Sequence, residues 1–232
     1  MNPKHFGVPA VLALTIIAWT GLSSAQWIAD DSDWWSLLRP IEEEGGCSTP
    51  SKEKPTENNF VIADLRQGHP IREAGEKVAR PSVIIERGDA STGRSQICFR
   101  SVSERGRFKL IFEEGEVASA AYLIDGGPSW RGADKCVVSP KISGNLATQS
   151  GLHLGMTAAQ AERILGKPCI ESNDGIEYAF DFSHLPTSDE RQRLKGHGDF
   201  YPDEPFDWFG TIQIKFHRAK AYYIAILTGD TQ

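Results

Sequence analysis

Between Phe60 and about Lys141 the apolar positions come in short bursts rather than at helical spacing. FVIADL, PSVIIER, SQICFRSV, RFKLIF and VASAAYLI are β-branched or aromatic runs, parted by polar clusters such as GDASTG, SERG and EEGE. Runs of this composition, bounded by turn formers, predict strands. RFKLIF and VASAAYLI, joined by EEGE with Gly115 near the end of the turn, predict a hairpin. No helical stretch of useful length interrupts the series, so a dinucleotide-binding βαβ unit is a poor reading. Residues 126–151 are rich in turn formers and lead out of this unit.

The pattern then changes. Residues 151–168, GLHLGMTAAQAERILGKP, carry both ends of a short helix. Thr157 is an N-cap with Gln160 three residues on, the capping box in which each side chain accepts from the other residue's backbone N–H. Ala158, Ala161, Ile164 and Leu165 share one face, while Gln160, Glu162 and Arg163 point elsewhere. Gly166 tolerates a left-handed end, and Pro168 blocks continuation. So short a helix must pack on something. Three strands follow: GIEYAFDF (175–182), WFGTIQIKF (208–216) and AYYIAIL (221–227), the last two joined by HRAK. Tyr178, Phe180 and Phe182 alternate with Glu177, Ala179 and Asp181, the pattern of a half-buried strand. The expected fold class is α+β: an antiparallel β-rich N-terminal unit over residues 60–141, then a short helix packed on a three-stranded antiparallel meander within residues 146–228.

Ahead of these units, Lys4 and His5 precede the run GVPAVLALTIIAWTGL and the small residues SSA, which together predict a signal peptide over residues 1–25, cut after Ala25. Residues 26–59 divide into a short helix within WIADDSDWWSLLR (27–39), docking Trp34, Trp35, Leu37 and Leu38, and a polar linker, EEEGGCSTPSKEKPTENN (42–59). The first cysteine, Cys47, lies far from the cut, so lipid anchoring is not expected, and no later stretch is apolar enough to span a membrane.

An exported chain with an even set of cysteines, Cys47, Cys98, Cys136 and Cys169, predicts up to two disulfides in an oxidising compartment, periplasmic or secreted. Three pairings are open. Cys98–Cys136 is favoured because the two strands between them fold back to bring their ends together, and Cys47–Cys169 is what that choice leaves. No CxxC or CxxH pair supports zinc. The net charge is −6. It becomes about −7 once Lys4 leaves with the signal, which argues against nucleic acid or an anionic membrane face as partner.

LGMTAAQAERILGKP, then DGIEYAFDF, then TIQIKFHRAKAYYIAI resemble the SmpA/OmlA (BamE-like) family of small envelope proteins and the related β-lactamase inhibitor protein-like modules. The pattern is carried by Gly155, Met156, Thr157, Ile164, Leu165, Gly166, Pro168, Tyr178 and Phe216, and covers residues 146–228, about a third of the chain. The resemblance implies a non-enzymatic α+β module without a cofactor, which works by binding other proteins at the cell envelope.

No HExxH, GxSxG, Walker loop or GxGxxG occurs. His184, His197 and Asp199 fall in one loop at a spacing that matches no ligand rule, and Asp203–Glu204 and Glu113–Glu114 read as solvated turn carboxylates. The long segment 183–207 is the best candidate surface. Phe200, Tyr201, Phe206 and Trp208, among Asp199, Asp203, Glu204 and Asp207, form an aromatic anchor set in an acidic rim, suited to a protein with basic residues. The competing reading folds these rings back over the sheet, and Trp130 beside Arg131 reads as a core plug. The expected function is therefore an exported, non-enzymatic protein-binding module of the envelope or secreted space. The alternative is a secreted hydrolase or small-ligand-binding protein with its site between the two units.

Overall fold

The computed structural model describes residues 28–29, 47, 57–63, 65–66, 76–79, 85–87, 93–103, 106–115, 118–126, 136–173, 175–185, 188–193, 195 and 205–230. The expected signal peptide (1–25), most of the tryptophan-bearing segment, Trp130 and Arg131 lie outside them.

In chain order the strands are β1 (Ile28–Ala29), β2 (Val61–Ile62), β3 (Leu65–Arg66), β4 (Ile85–Arg87), β5 (Arg94–Ser101), β6 (Phe108–Glu114), β7 (Ala118–Asp125) and β8 (Val137–Ser139). Helix α1 (Ala158–Leu165), β9 (Ile170–Glu171), β10 (Gly175–His184), helix α2 (Ser188–Arg193), β11 (Phe206–His217) and β12 (Lys220–Asp230) complete them. FVIADL is not one strand: it reverses at Ala63, whose φ is 53°, and makes the small β2–β3 pair. Ile28 and Ala29, just ahead of the expected helix, pair parallel with Ile85 and Glu86.

Among the described residues, all strands but β2 and β3 form a single ten-stranded sheet in the order β1-β4-β5-β6-β7-β12-β11-β10-β9, with β8 pairing β5 in parallel beyond β4. This overturns the expected fold class. The helix does not sit on a separate three-stranded meander, because β7 pairs antiparallel with β12 from Tyr223↔Ile124 to Gly229↔Ala118. The physical reason is the strand edge. A meander ending in β12 would leave a row of unpaired N–H and C=O groups, and β7 pairs with that row.

The register explains the packing. Two rungs run across six strands with no polar group but the Tyr178 hydroxyl: Ile97, Phe112, Ala121, Ile226, Ile212, Tyr178, and Phe99, Leu110, Leu123, Ile224, Ile214, Ile176. This face is covered by Ile142, Leu152, Leu154, Met156, Ala161 and Leu165, together with Phe60 and Ile62 from the β2 region. Burying each large aliphatic side chain contributes about 2 kcal/mol.

Helix α1 is fixed at both ends. Gln160 N–H donates to Thr157 Oγ1 at 3.3 Å, and Thr157 N–H donates to Gln160 Oε1 at 2.8 Å. Gly166 ends it at φ 81° and ψ −160°. That is not the left-handed helical conformation expected, but an extended positive-φ region that only glycine enters readily. The buried Tyr178 hydroxyl donates to Gly166 O at 3.1 Å, tying the helix end to the sheet. Gly155 N–H donates to Ala221 O, and Ala221 N–H to Met156 O, which locks the entry to the helix onto the start of β12.

Two disulfides join Cys98 to Cys136 and Cys47 to Cys169, at sequence separations of 38 and 122. On the loop-entropy account they stabilise the fold by about 4 and about 5 kcal/mol. They suit an extracellular or periplasmic compartment. Among the described residues no helix is long and apolar enough to cross a membrane.

Candidate functional site

Strands β10 and β11 form a long antiparallel pair, from Gly175↔Lys215 to His184↔Phe206. Aromatic and β-branched residues occupy alternate positions in both strands, so the ladder persists where β9 has ended. Segment 183–207 is thus not one continuous loop. β10 runs on to His184, α2 follows at Ser188–Arg193, and β11 begins at Phe206. The main chain of Phe206 lies opposite His184, and that of Trp208 lies between Phe182 and Asp230. Phe200 and Tyr201 lie outside the described residues, as do His197 and Asp199, so the proposed aromatic set is not assembled by the described part of the chain. Among the described residues no group of three His, Cys, Asp or Glu side chains is placed to hold a metal.

The outer side of β10 has its own geometry. β9 accompanies it only at Ile176 and Glu177, and Cys169 N–H donates to Glu177 O at 2.9 Å. The backbone groups of Glu177 therefore face away from β11. By the alternation of a strand, those of Ala179, Asp181 and Ser183 face the same way. Among the described residues no strand pairs with β10 beyond Glu177 on that side. Asp181 and Ser183 are exposed, and Leu185 just past the strand is 62% exposed.

The second face of the sheet carries polar chemistry that the sequence reading missed. Its middle rung is Cys98, Ile111, Tyr122, Ala225, Gln213 and Glu177, and the Cys98–Cys136 disulfide lies on it. Glu113, expected in a solvated turn, is instead buried within β6. It accepts from Arg94 Nη1 at 2.9 Å and from Gln96 Nε2 of the opposite strand. At the other end of β6, Lys109 is 1% exposed and lies opposite Arg100. Burial, aided by the neighbouring Arg100, lowers its pKa to about 8 against the pull of Asp125. Lys109 Nζ donates to Arg107 O at 3.2 Å, while the Arg107 guanidinium grips Asp125 through Nε and Nη2. Lys215 stands over the Tyr223 ring at 5.6 Å. The signal was present in the sequence: Lys109, Ile111 and Glu113 occupy one set of alternate positions in KLIFE, and Leu110 and Phe112 the other. A strand buried on both faces must place that Lys and Glu inside.

Compared with family models, with curated proteins and with solved structures, the chain matches none of them.

Proposed function

We propose that this chain is an exported, non-enzymatic module that binds another protein in the periplasm or outside the cell. The observation that carries the reading is the β10–β11 hairpin. Its outer strand runs past its neighbour with Asp181 and Ser183 exposed, and the sequence around the start of β11 is rich in aromatic and acidic residues. Such an edge offers directional backbone groups to a partner, and basic residues on that partner complement the chain's net negative charge. The two disulfides support the compartment. The likeness of the helix and the final strands to SmpA/OmlA proteins supports the class of function.

The alternative, a hydrolase or small-ligand protein, needs a cleft between the two units. Where they meet, β7 and β12 are hydrogen-bonded neighbours, with Ala121, Leu123, Ile224 and Ile226 buried on one face and Ala120, Tyr122, Tyr223 and Ala225 on the other. That seam is filled, which favours the binding reading.

A crosslinking pull-down from the source cell's envelope, run with the mature chain and with a Tyr201→Ala/Phe206→Ala variant, tests the proposal. One specific protein retained by the native chain and lost by the variant is the expected result. If the native chain retains nothing, protein recognition is abandoned in favour of a small ligand.

A further inference from the structure

Resting on that reading, we infer that the partner binds by adding a strand to the open edge of β10, and that it carries a lysine or arginine facing Asp181. Ala179, Asp181 and Ser183 turn their N–H and C=O groups outward along a stretch that no described strand accompanies. The chemistry that complements alternating donors and acceptors at strand spacing is another extended backbone. Such pairing supplies affinity from the main chain, and specificity comes from the side chains that end up opposite one another.

Asp181 sets that specificity. Its carboxylate is exposed at the middle of the open stretch, and the exposed Glu171 stands at the end of β9 on the same edge. A second copy of this chain is a poor occupant. Two β10 edges meeting antiparallel about a two-fold axis bring the Asp181 carboxylates together, and like charges in cross-strand positions repel. A strand with a cation there replaces the repulsion with an ion pair at the sheet surface. The overall negative charge of the chain assists the approach of a basic segment.

The test uses the full mature chain with both disulfides formed. In amide hydrogen exchange followed by NMR, the N–H groups of Ala179, Asp181 and Ser183 are expected to exchange at least about a hundredfold faster than those of Tyr178, Phe180 and Phe182, which pair with β11. If the three outward amides are protected in the free chain, the edge is already covered and the inference fails. The probe is a ten-residue peptide alternating valine with threonine and lysine, beside its glutamate-for-lysine counterpart. The lysine peptide is expected to slow exchange at the three amides and to shift β10 resonances, and the glutamate peptide to do so more weakly. Asp181→Lys is expected to reverse that order. Ala179→Pro removes an outward N–H without removing one that pairs with β11, and is expected to weaken binding of the lysine peptide. Absence of binding by either peptide, or equal binding by both to native and Asp181→Lys chains, overturns the inference. The pull-down separates the two claims. An envelope protein retained equally by native and Asp181→Lys chains leaves protein recognition standing and removes strand addition, whereas retention of nothing by the native chain removes the functional reading.

Discussion

Lys109 shows how one position on a two-sided sheet is read through its chemistry. A lysine 1% exposed has left water, and its charged form has lost hydration that the Arg107 carbonyl and Asp125 replace in part. Its folded pKa of about 8 lies below the ordinary lysine value of 10.5. The folded state therefore releases this proton at lower pH than the unfolded chain does. Below about pH 8 both states hold the proton and the burial cost is fully present. Between about 8 and 10.5 the unfolded state binds more protons, so stability rises with pH. Denaturant titrations of the native chain and Lys109→Met, at intervals from pH 7 to 10, should show the native chain gaining stability relative to the variant as pH rises. A difference that is flat with pH, or that runs the other way, excludes this account of Lys109.

Single elements show where local sequence determined structure and where it did not. The capping box at Thr157 and Gln160 forms as the spacing predicts, because it needs only residues three apart. The β6–β7 hairpin was legible for the same reason. FVIADL was misread, since β-branched composition alone does not distinguish a strand from two short arms reversing at Ala63. The turn between β11 and β12 is the opposite case, a tight reversal without its usual residues. His217 pairs with Lys220, and the two residues between, Arg218 and Ala219, take φ values of 51° and 60°. A two-residue hairpin with both central residues at positive φ ordinarily holds Asn-Gly, and each non-glycine residue there costs about 1 kcal/mol. The long ladder on either side holds the turn in place. Ala219→Gly should then stabilise the protein by about 0.5–1 kcal/mol, the relief of strain exceeding the added freedom of the unfolded chain. A raised midpoint in thermal or urea unfolding checks it; a loss of stability would mean that Ala219 is unstrained.

At the scale of the whole molecule, the lesson lies in the pairing of β7 with β12. Both strands are visible in the sequence as apolar runs, yet they are about a hundred residues apart, and composition carries no record of which strand lies beside which. A final hairpin can close a small unit, but the outer backbone groups of β12 then lack partners. Tyr223, Ala225 and Leu227 keep apolar side chains on one face while Ile224 and Ile226 keep them on the other. A strand buried on both faces belongs inside a sheet, and that double pattern was the available clue. The same argument predicts how the chain divides. Expressed alone, residues 142–232 retain α1 and the β10–β11–β12 ladder but lose β7, so β12 becomes an open edge. Leu110, Phe112, Ala121 and Leu123 leave the common core, and the Cys47 partner of Cys169 is absent. Large buried side chains lost at about 2 kcal/mol each are comparable to the whole stability of an ordinary domain, about 5–15 kcal/mol. This fragment should therefore fail to give a dispersed amide NMR spectrum as a monomer, and should aggregate through its exposed strand. Supplying residues 26–141 in trans should restore dispersion by re-forming the seam. A well-dispersed, monomeric spectrum from the fragment alone would show that the C-terminal strands carry a sufficient core of their own and that β7 is an accessory to them.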